Sequence, residues 1–177
     1  MAMTLITNSA DTDSTDLASI SFTSSIDSTY KLYIFKFYDV NPATDSAEFT
    51  FNASTDSGSN YNVTKTTTSF KAKHTEADDE TLLGYDASGD LAQSTAFQLL
   101  SWDVGNAADE STAGILHLFS PSNTTYVKHF YCRTSSYHAA NQIFDNFTAG
   151  YFNTTSAIDA IQFKMSTGNI DAGTITL

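Results

Sequence analysis

Four histidines, twenty carboxylates and one cysteine are the groups through which this chain could do chemistry, and their spacing limits what they can do. His117 and His129 fall in two strand-like runs, 114–119 and 125–132, joined across Pro121-Ser122-Asn123, a hairpin pattern. Paired imidazoles on such a hairpin could hold zinc or relay a proton only with a third ligand or a carboxylate beside them. The sequence supplies neither, so satisfied or surface histidines are expected. Asp11, Asp13 and Asp16 begin like a calcium loop but lack its glycine and its closing bidentate glutamate. Asp78, Asp79 and Glu80, and then Asp86 to Asp90, read the same way, as solvated acidic loops. Glu48, Glu76, Glu80 and Glu110 are too scattered to nominate a glycoside-cleaving pair. Cys132, the lone cysteine, can build neither an internal disulfide nor a thiolate metal site, and its strand-like run makes it a small buried hydrophobe. There is no Gly-x-Ser-x-Gly elbow, phosphate-binding glycine loop or His-Glu-x-x-His. The expectation is a non-enzymatic protein without cofactor or metal.

Binding is the chemistry that remains. Tyr30, Tyr61, Tyr85, Trp102, Tyr126 and Tyr137 fall at strand ends or in loops, where a sugar ring could stack, although aromatics of β proteins are more often core. Residues 76–90 form the longest stretch without a period, which is where a contact loop is expected. The expected contact surface is therefore Asp78, Asp79, Glu80, Tyr85, Asp86, Trp102 and Tyr137, with the arm 1–16 as a second region. Five Asn-x-Ser/Thr triplets, at Asn52, Asn62, Asn123, Asn146 and Asn153, read as chance in a chain this rich in Asn, Ser and Thr.

The elements that must position these residues are strands. Thirteen Phe, nine Tyr and abundant Thr suit pleated, half-buried surfaces, while Ser, Asn, Asp and Gly suit the turns between them. Residues 4–7, 17–22, 30–38, 47–52, 67–74, 97–102, 114–119, 125–132, 148–153, 160–165 and 174–177 read as strands. Both faces of 30–38 are largely apolar, which predicts a central strand. Only 139–144 and 155–160 offer even a helical turn. Short strands with turn chemistry between them predict an all-β, antiparallel, jelly-roll-like β-sandwich of one domain over 17–177, preceded by an arm or first strand at 1–16.

The formal net charge of −12, with no Lys/Arg cluster, disfavours nucleic acid and anionic membranes as partners. Met1-Ala2-Met3 leads into a polar stretch rather than an apolar signal core, and no run approaches membrane-spanning length. The chain is expected to be made in the cytoplasm.

Several phrases resemble one family: Asp27-Ser28-Thr29-Tyr30 within 24–37, the Asn41-Pro42-Ala43-Thr44 turn, Lys65-Thr66-Thr67-Thr68, and the Gly173-Thr174-Ile175-Thr176-Leu177 that closes 168–177. They resemble virion-associated structural proteins of phages of marine bacteria and cyanobacteria, and the resemblance runs nearly end to end. It implies a virion protein released by lysis, most simply a capsid decoration or cement protein that stabilises the head and is itself oligomeric. Its partners would be the major capsid protein or tail and appendage subunits. The alternative it leaves open is a tail-fibre or appendage module that binds a host-surface carbohydrate or receptor.

Overall fold

Alternation of large apolar and small or polar side chains is clear in residues 20–22, 47–51 and 160–165 of the computed structural model, which describes residues 3–9 and 16–177. Among the described residues there are eleven strands: β1 (Ile20–Phe22), β2 (Leu32–Pro42), β3 (Ala47–Ser54), β4 (Lys65–Thr75), β5 (Thr81–Tyr85), β6 (Gln98–Val104), β7 (Thr112–Phe119), β8 (Lys128–His138), β9 (Gln142–Phe152), β10 (Ala160–Met165) and β11 (Ile170–Thr176). From Lys128 to Ser136, β8 alternates buried and exposed without a break, as a strand covered on one face must. No helix occurs among the described residues, and none is therefore long and apolar enough to cross a membrane.

All pairings are antiparallel and join the strands into one hydrogen-bonded sheet that folds into two layers. Sheet A has the order β1-β10-β3-β6, and sheet B the order β11-β2-β7-β8-β9-β4-β5. The hinge between them is narrow, with β6 meeting β8 through the single pair Val104 and His138. Without β8, β9 and β11, the remaining eight strands follow the orders first-eighth-third-sixth and second-seventh-fourth-fifth, the jelly-roll winding. The β8–β9 hairpin is thus inserted into the middle of sheet B. It widens that sheet well beyond sheet A.

The two layers meet through aromatic rings. Phe163 of β10 lies 5.2–6.2 Å from Phe22, Phe35, Phe37, Phe49 and Phe51, drawn from both sheets. Beneath the inserted hairpin the interior turns polar. Ser101 Oγ lies 2.7 Å from Thr112 Oγ1 and donates to Thr134 Oγ1 at 2.9 Å, while Thr67 donates to Gln98 at 2.7 Å. Cys132 is buried and free, as expected, and burial pushes its thiol up, so it remains an unreactive small hydrophobe.

The central position predicted for 30–38 holds, since β2 pairs with β11 on one side and β7 on the other. Several expectations require correction. Residues 76–90 are not one irregular stretch, because β5 lies within them and pairs with β4. The acidic run before it is a short hairpin loop closed by Thr75 N donating to Glu80 O, with Asp78 in the left-handed region at φ 56°. Neither helical turn exists. Residues 139–141 are a three-residue hairpin loop between His138 and Gln142 in which Asn141 takes the left-handed position, and β9 begins at once. Residues 155–159 are irregular chain. Residues 4–7 form no regular strand, although the amides of Ile6 and Thr7 donate to Leu177 O and Ser9 N donates to Ile175 O. In 17–22 only β1 is regular, with Leu17 making a lone bridge to Ile170. Asp11 and Asp13 lie outside the described residues.

Candidate functional site

Sheet B has one face in the core and one face open. Strand register places the open side chains in rows that cross it. One row runs Lys36, Ile115, Arg133, Phe147, Phe70, Tyr85 through six consecutive strands. A second runs Ile34, His117, Tyr131, Ala149, Thr68. Leu83 stands opposite Ala72 in a third row and Ile143 opposite His74 in a fourth. Five inter-strand gaps make the face about 24 Å wide.

Its side chains are already organised against one another. The rings of Phe70 and Phe147 stack at 4.5 Å and 7°, and the Arg133 guanidinium sits 4.7 Å over Phe147. Arg133 is held there by two hydrogen bonds to Asp145, at 3.0 and 2.7 Å. That contact raises the Arg133 pKa and keeps the group charged. His117 stacks on Tyr131 at 4.5 Å, and its Nδ1 is buried without a hydrogen-bond partner among the described residues. Burial lowers the His117 pKa, so the ring stays neutral near pH 7. His129 lies against Tyr151 instead, which leaves the two imidazoles of the expected hairpin without a shared ligand site.

The face is apolar and open together. Tyr131 is 46% exposed, Phe70 43%, Tyr85 62% and Leu83 77%, and Ile115 and Ile143 are exposed as well. Toward β11 it runs into a groove of about 650 Å³ between residues 3–8 and the start of β2, lined by Met3, Leu5, Tyr30, Leu32, Ile34 and Tyr38. The arm named as a contact region therefore borders the face at one end.

The residues expected to form the contact surface do not converge. Asp86 is buried: Lys71 Nζ lies 3.4 Å from its Oδ2, and Trp102 Nε1 donates to the same carboxylate. Trp102 is half-buried, its ring covered by the Lys71 ammonium at 4.2 Å. Both residues lie at the inner end of the widened sheet, Asp86 buried and Trp102 partly exposed. Asp78 pairs with His74 at 3.0 Å, Asp79 accepts from Thr75 Oγ1 at 2.6 Å and Glu80 pairs with Lys73 at 2.6 Å. Tyr137 donates to Glu76 at 3.0 Å at the far tip of β8, and that carboxylate raises the phenol's pKa. Of the seven, Tyr85 lies in the first row, bonded through its hydroxyl to Asp90, and Tyr137 lies in the fourth, opposite Ile143. Among the described residues no three His, Cys, Asp or Glu side chains gather to hold a metal.

The principal face residues, Ile115, Tyr131, Arg133, Phe147 and Phe70, were not singled out by the sequence. Their signal is the two-sided apolar strand: β2 and β8 carry aromatic or aliphatic side chains at both parities, which a one-face-buried strand does not need. No protein-family model, curated protein or solved structure matches the chain.

Proposed function

We propose that the protein is a non-enzymatic assembly protein that docks by the open face of sheet B onto an apolar surface of another protein. The observation that carries this reading is the face itself. Aromatic, aliphatic and arginine side chains cover it, and across its three central rows the only carboxylate is Asp145, already bonded to Arg133. In a chain of net charge −12 the rest of the acid lies elsewhere. Depletion of acid with enrichment of aromatics and arginine is the composition of an interface core. Five inter-strand gaps by three row spacings, about 24 by 20 Å, give roughly 500 Å², below the roughly 800 Å² per partner of a standard interface and fitting a modest single contact.

The setting we propose is a phage virion, with the protein as a decoration or cement protein on the capsid, resting on the resemblance of 24–37, 41–44, 65–68 and 168–177. A rigid sandwich repeated many times over a particle gains avidity from a modest single contact. Cryo-electron microscopy of the particle tests both parts. Density for this chain on the head, with Tyr131 and Ile115 against a capsid subunit, is the expected result. Density on the tail reassigns the protein, and a solvent-facing sheet B removes the docking proposal. A second reading, carbohydrate binding by a tail appendage, is favoured by the stacked His117–Tyr131 pair, which presents an aromatic plane to solvent. Glycan binding that is lost on Tyr131→Ala would select it.

A further inference from the structure

Sheet edges carry unpaired backbone groups; besides β6, which meets β8 only at Val104 and whose Leu100 O accepts from the Thr134 hydroxyl, this fold leaves three edges to manage. The β11 edge is covered by residues 6–9, whose backbone bonds to Ile175 and Leu177, and by Leu17 on Ile170. The β1 edge is three residues long and carries an exposed serine at its centre. The third edge, β5, has neither protection. Its sequence Thr-Leu-Leu-Gly-Tyr contains no charge and no proline, its register on β4 runs without a bulge, and among the described residues it pairs with β4 alone.

Which of its backbone groups face outward follows from the ladder. Thr75 N donates to Glu80 O and Asp86 N to Ser69 O, so the hydrogen-bonded pairs with β4 fall at residues 80, 82, 84 and 86. The N–H and C=O groups of Thr81, Leu83 and Tyr85 therefore point away from the sheet. We infer that β5 is a self-association edge, where two copies pair their Thr81–Tyr85 strands antiparallel about a twofold axis at Leu83. In that register Leu83 exchanges both bonds with its symmetry mate, and each Thr81 exchanges both with the other copy's Tyr85. All outward groups of both strands are then satisfied, which a self-complementary interface requires.

Charge and continuity favour a second copy over an unrelated strand. The carboxylates flanking β5 carry their own cations: Lys73 on Glu80 at 2.6 Å and Lys71 on Asp86 at 3.4 Å. The two strand ends that meet across the axis thus bring lysine–carboxylate pairs at Glu80 and Asp86, while Asp79 and Asp90, bonded to the hydroxyls of Thr75 and Tyr85, add the repulsion that keeps the pairing weak. The side chains of Leu83 and Tyr85 stand on the open face of sheet B, so pairing joins the two faces into one twice as wide. Five residues of edge bury less than the about 1,200 Å² of a stable interface. The pairing is therefore weak and concentration-dependent, and it tightens with salt as the repulsion between two chains of charge −12 is screened.

Sedimentation velocity of the full chain from about 1 μM to about 1 mM, with amide hydrogen exchange at both ends of that range, tests the inference. The expected result is a monomer passing to a dimer, with the Leu83 and Tyr85 amides exchanging at least about tenfold more slowly at high concentration. Leu83→Lys places a charge on an exposed side chain and should leave a monomer with an unchanged melting curve. Leu83→Pro removes an outward donor that β4 does not use and should do the same; if it impairs folding, the lysine variant still decides. A wild type monomeric throughout overturns the inference. So does a dimer that survives Leu83→Lys, or one lost instead on Tyr131→Glu, which would seat the second copy on the open face.

Discussion

The two outer faces of this sandwich are built from the same kind of strand and end in different states. On sheet A the outward side chains satisfy one another: Gln162 Nε2 donates to Ser19 and Ser21, Thr50 Oγ1 donates to Lys164 O, and the Lys164 ammonium lies 4.3 Å over Phe97. On sheet B the outward side chains stack in rows and stop at solvent. The difference follows the inserted hairpin, since β8 and β9 supply Tyr131, Arg133, Phe147 and Ile143 of the open face. A jelly roll does not need this pair of strands to close. What the insertion adds is surface, and that surface is apolar.

If the open face is built for binding, then its residues should matter little to folding and the inner ones a great deal. Phe163→Ala empties the hub between the sheets and should cost about 3–5 kcal/mol in urea unfolding. Phe70→Ala, which removes one stacked ring from the open face, should cost about 0.5–1.5 kcal/mol. Comparable losses at the two positions would mean that the open face is a second core, and the contrast would fail. Asp86→Ala comes next. It strands Lys71, one-fifth exposed, and removes the acceptor of Trp102, so about 3 kcal/mol is expected. Asp86→Asn, which keeps the acceptor, should recover part of that loss, while Asp90→Ala at the exposed Tyr85 should be nearly silent.

How much of this was legible in the sequence depended on which neighbours a residue needed. The winding followed from period-two strands and turn chemistry because both are local. β5 was hidden because Leu82, Leu83 and Tyr85 are exposed at both parities, leaving no alternation to read. The first half of β9 was hidden because its inward residues are Phe144 and the polar Asn146 while Ile143 and Phe147 point outward, which leaves no apolar–polar alternation to read. Asp86 resembled a loop carboxylate because its partners, Lys71 and Trp102, come from other strands. The open face was the least legible of all, since an apolar side chain in a strand announces burial and never says what will cover it.

Two buried lysines sharpen the comparison at intermediate size. Lys65 and Lys128 flank Phe152 on neighbouring strands, both fully buried. Among the described residues their amines donate to carbonyls only: Lys65 Nζ to Val63 O at 3.3 Å and Ala96 O at 2.5 Å, Lys128 Nζ to Thr154 O at 3.1 Å. Burial lowers the pKa of Lys65 from 10.5 to about 8. Below pH 8 both folded and unfolded chains hold the proton, and the burial cost is felt in full. Between 8 and 10.5 the unfolded chain holds more protons than the folded one, so stability rises with pH. Relative to Lys65→Met, the wild type should gain roughly 2–3 kcal/mol between pH 7 and pH 10.5. Urea midpoints of the pair across that range check the sign. A gain that persists in the methionine variant would move its origin to another group.

The smallest expected effect on stability is the most informative about the two faces. Ser21→Glu on sheet A and Ile115→Glu on sheet B each place a carboxylate on an exposed strand position. Surface substitutions of this kind stay within about 0.5 kcal/mol, so both variants should melt like the wild type. Their behaviour toward a partner should separate. A charge buried without a counter-charge at the centre of an interface is costly, whereas the same charge on a solvated face costs nothing. Ile115→Glu should therefore abolish assembly onto the particle, Ser21→Glu should leave it intact, and the mixed population in a competition assay should enrich for the latter. Equal assembly by both would mean that the rows on sheet B face solvent in the assembled state, and their aromatic content would then need an explanation other than a protein partner.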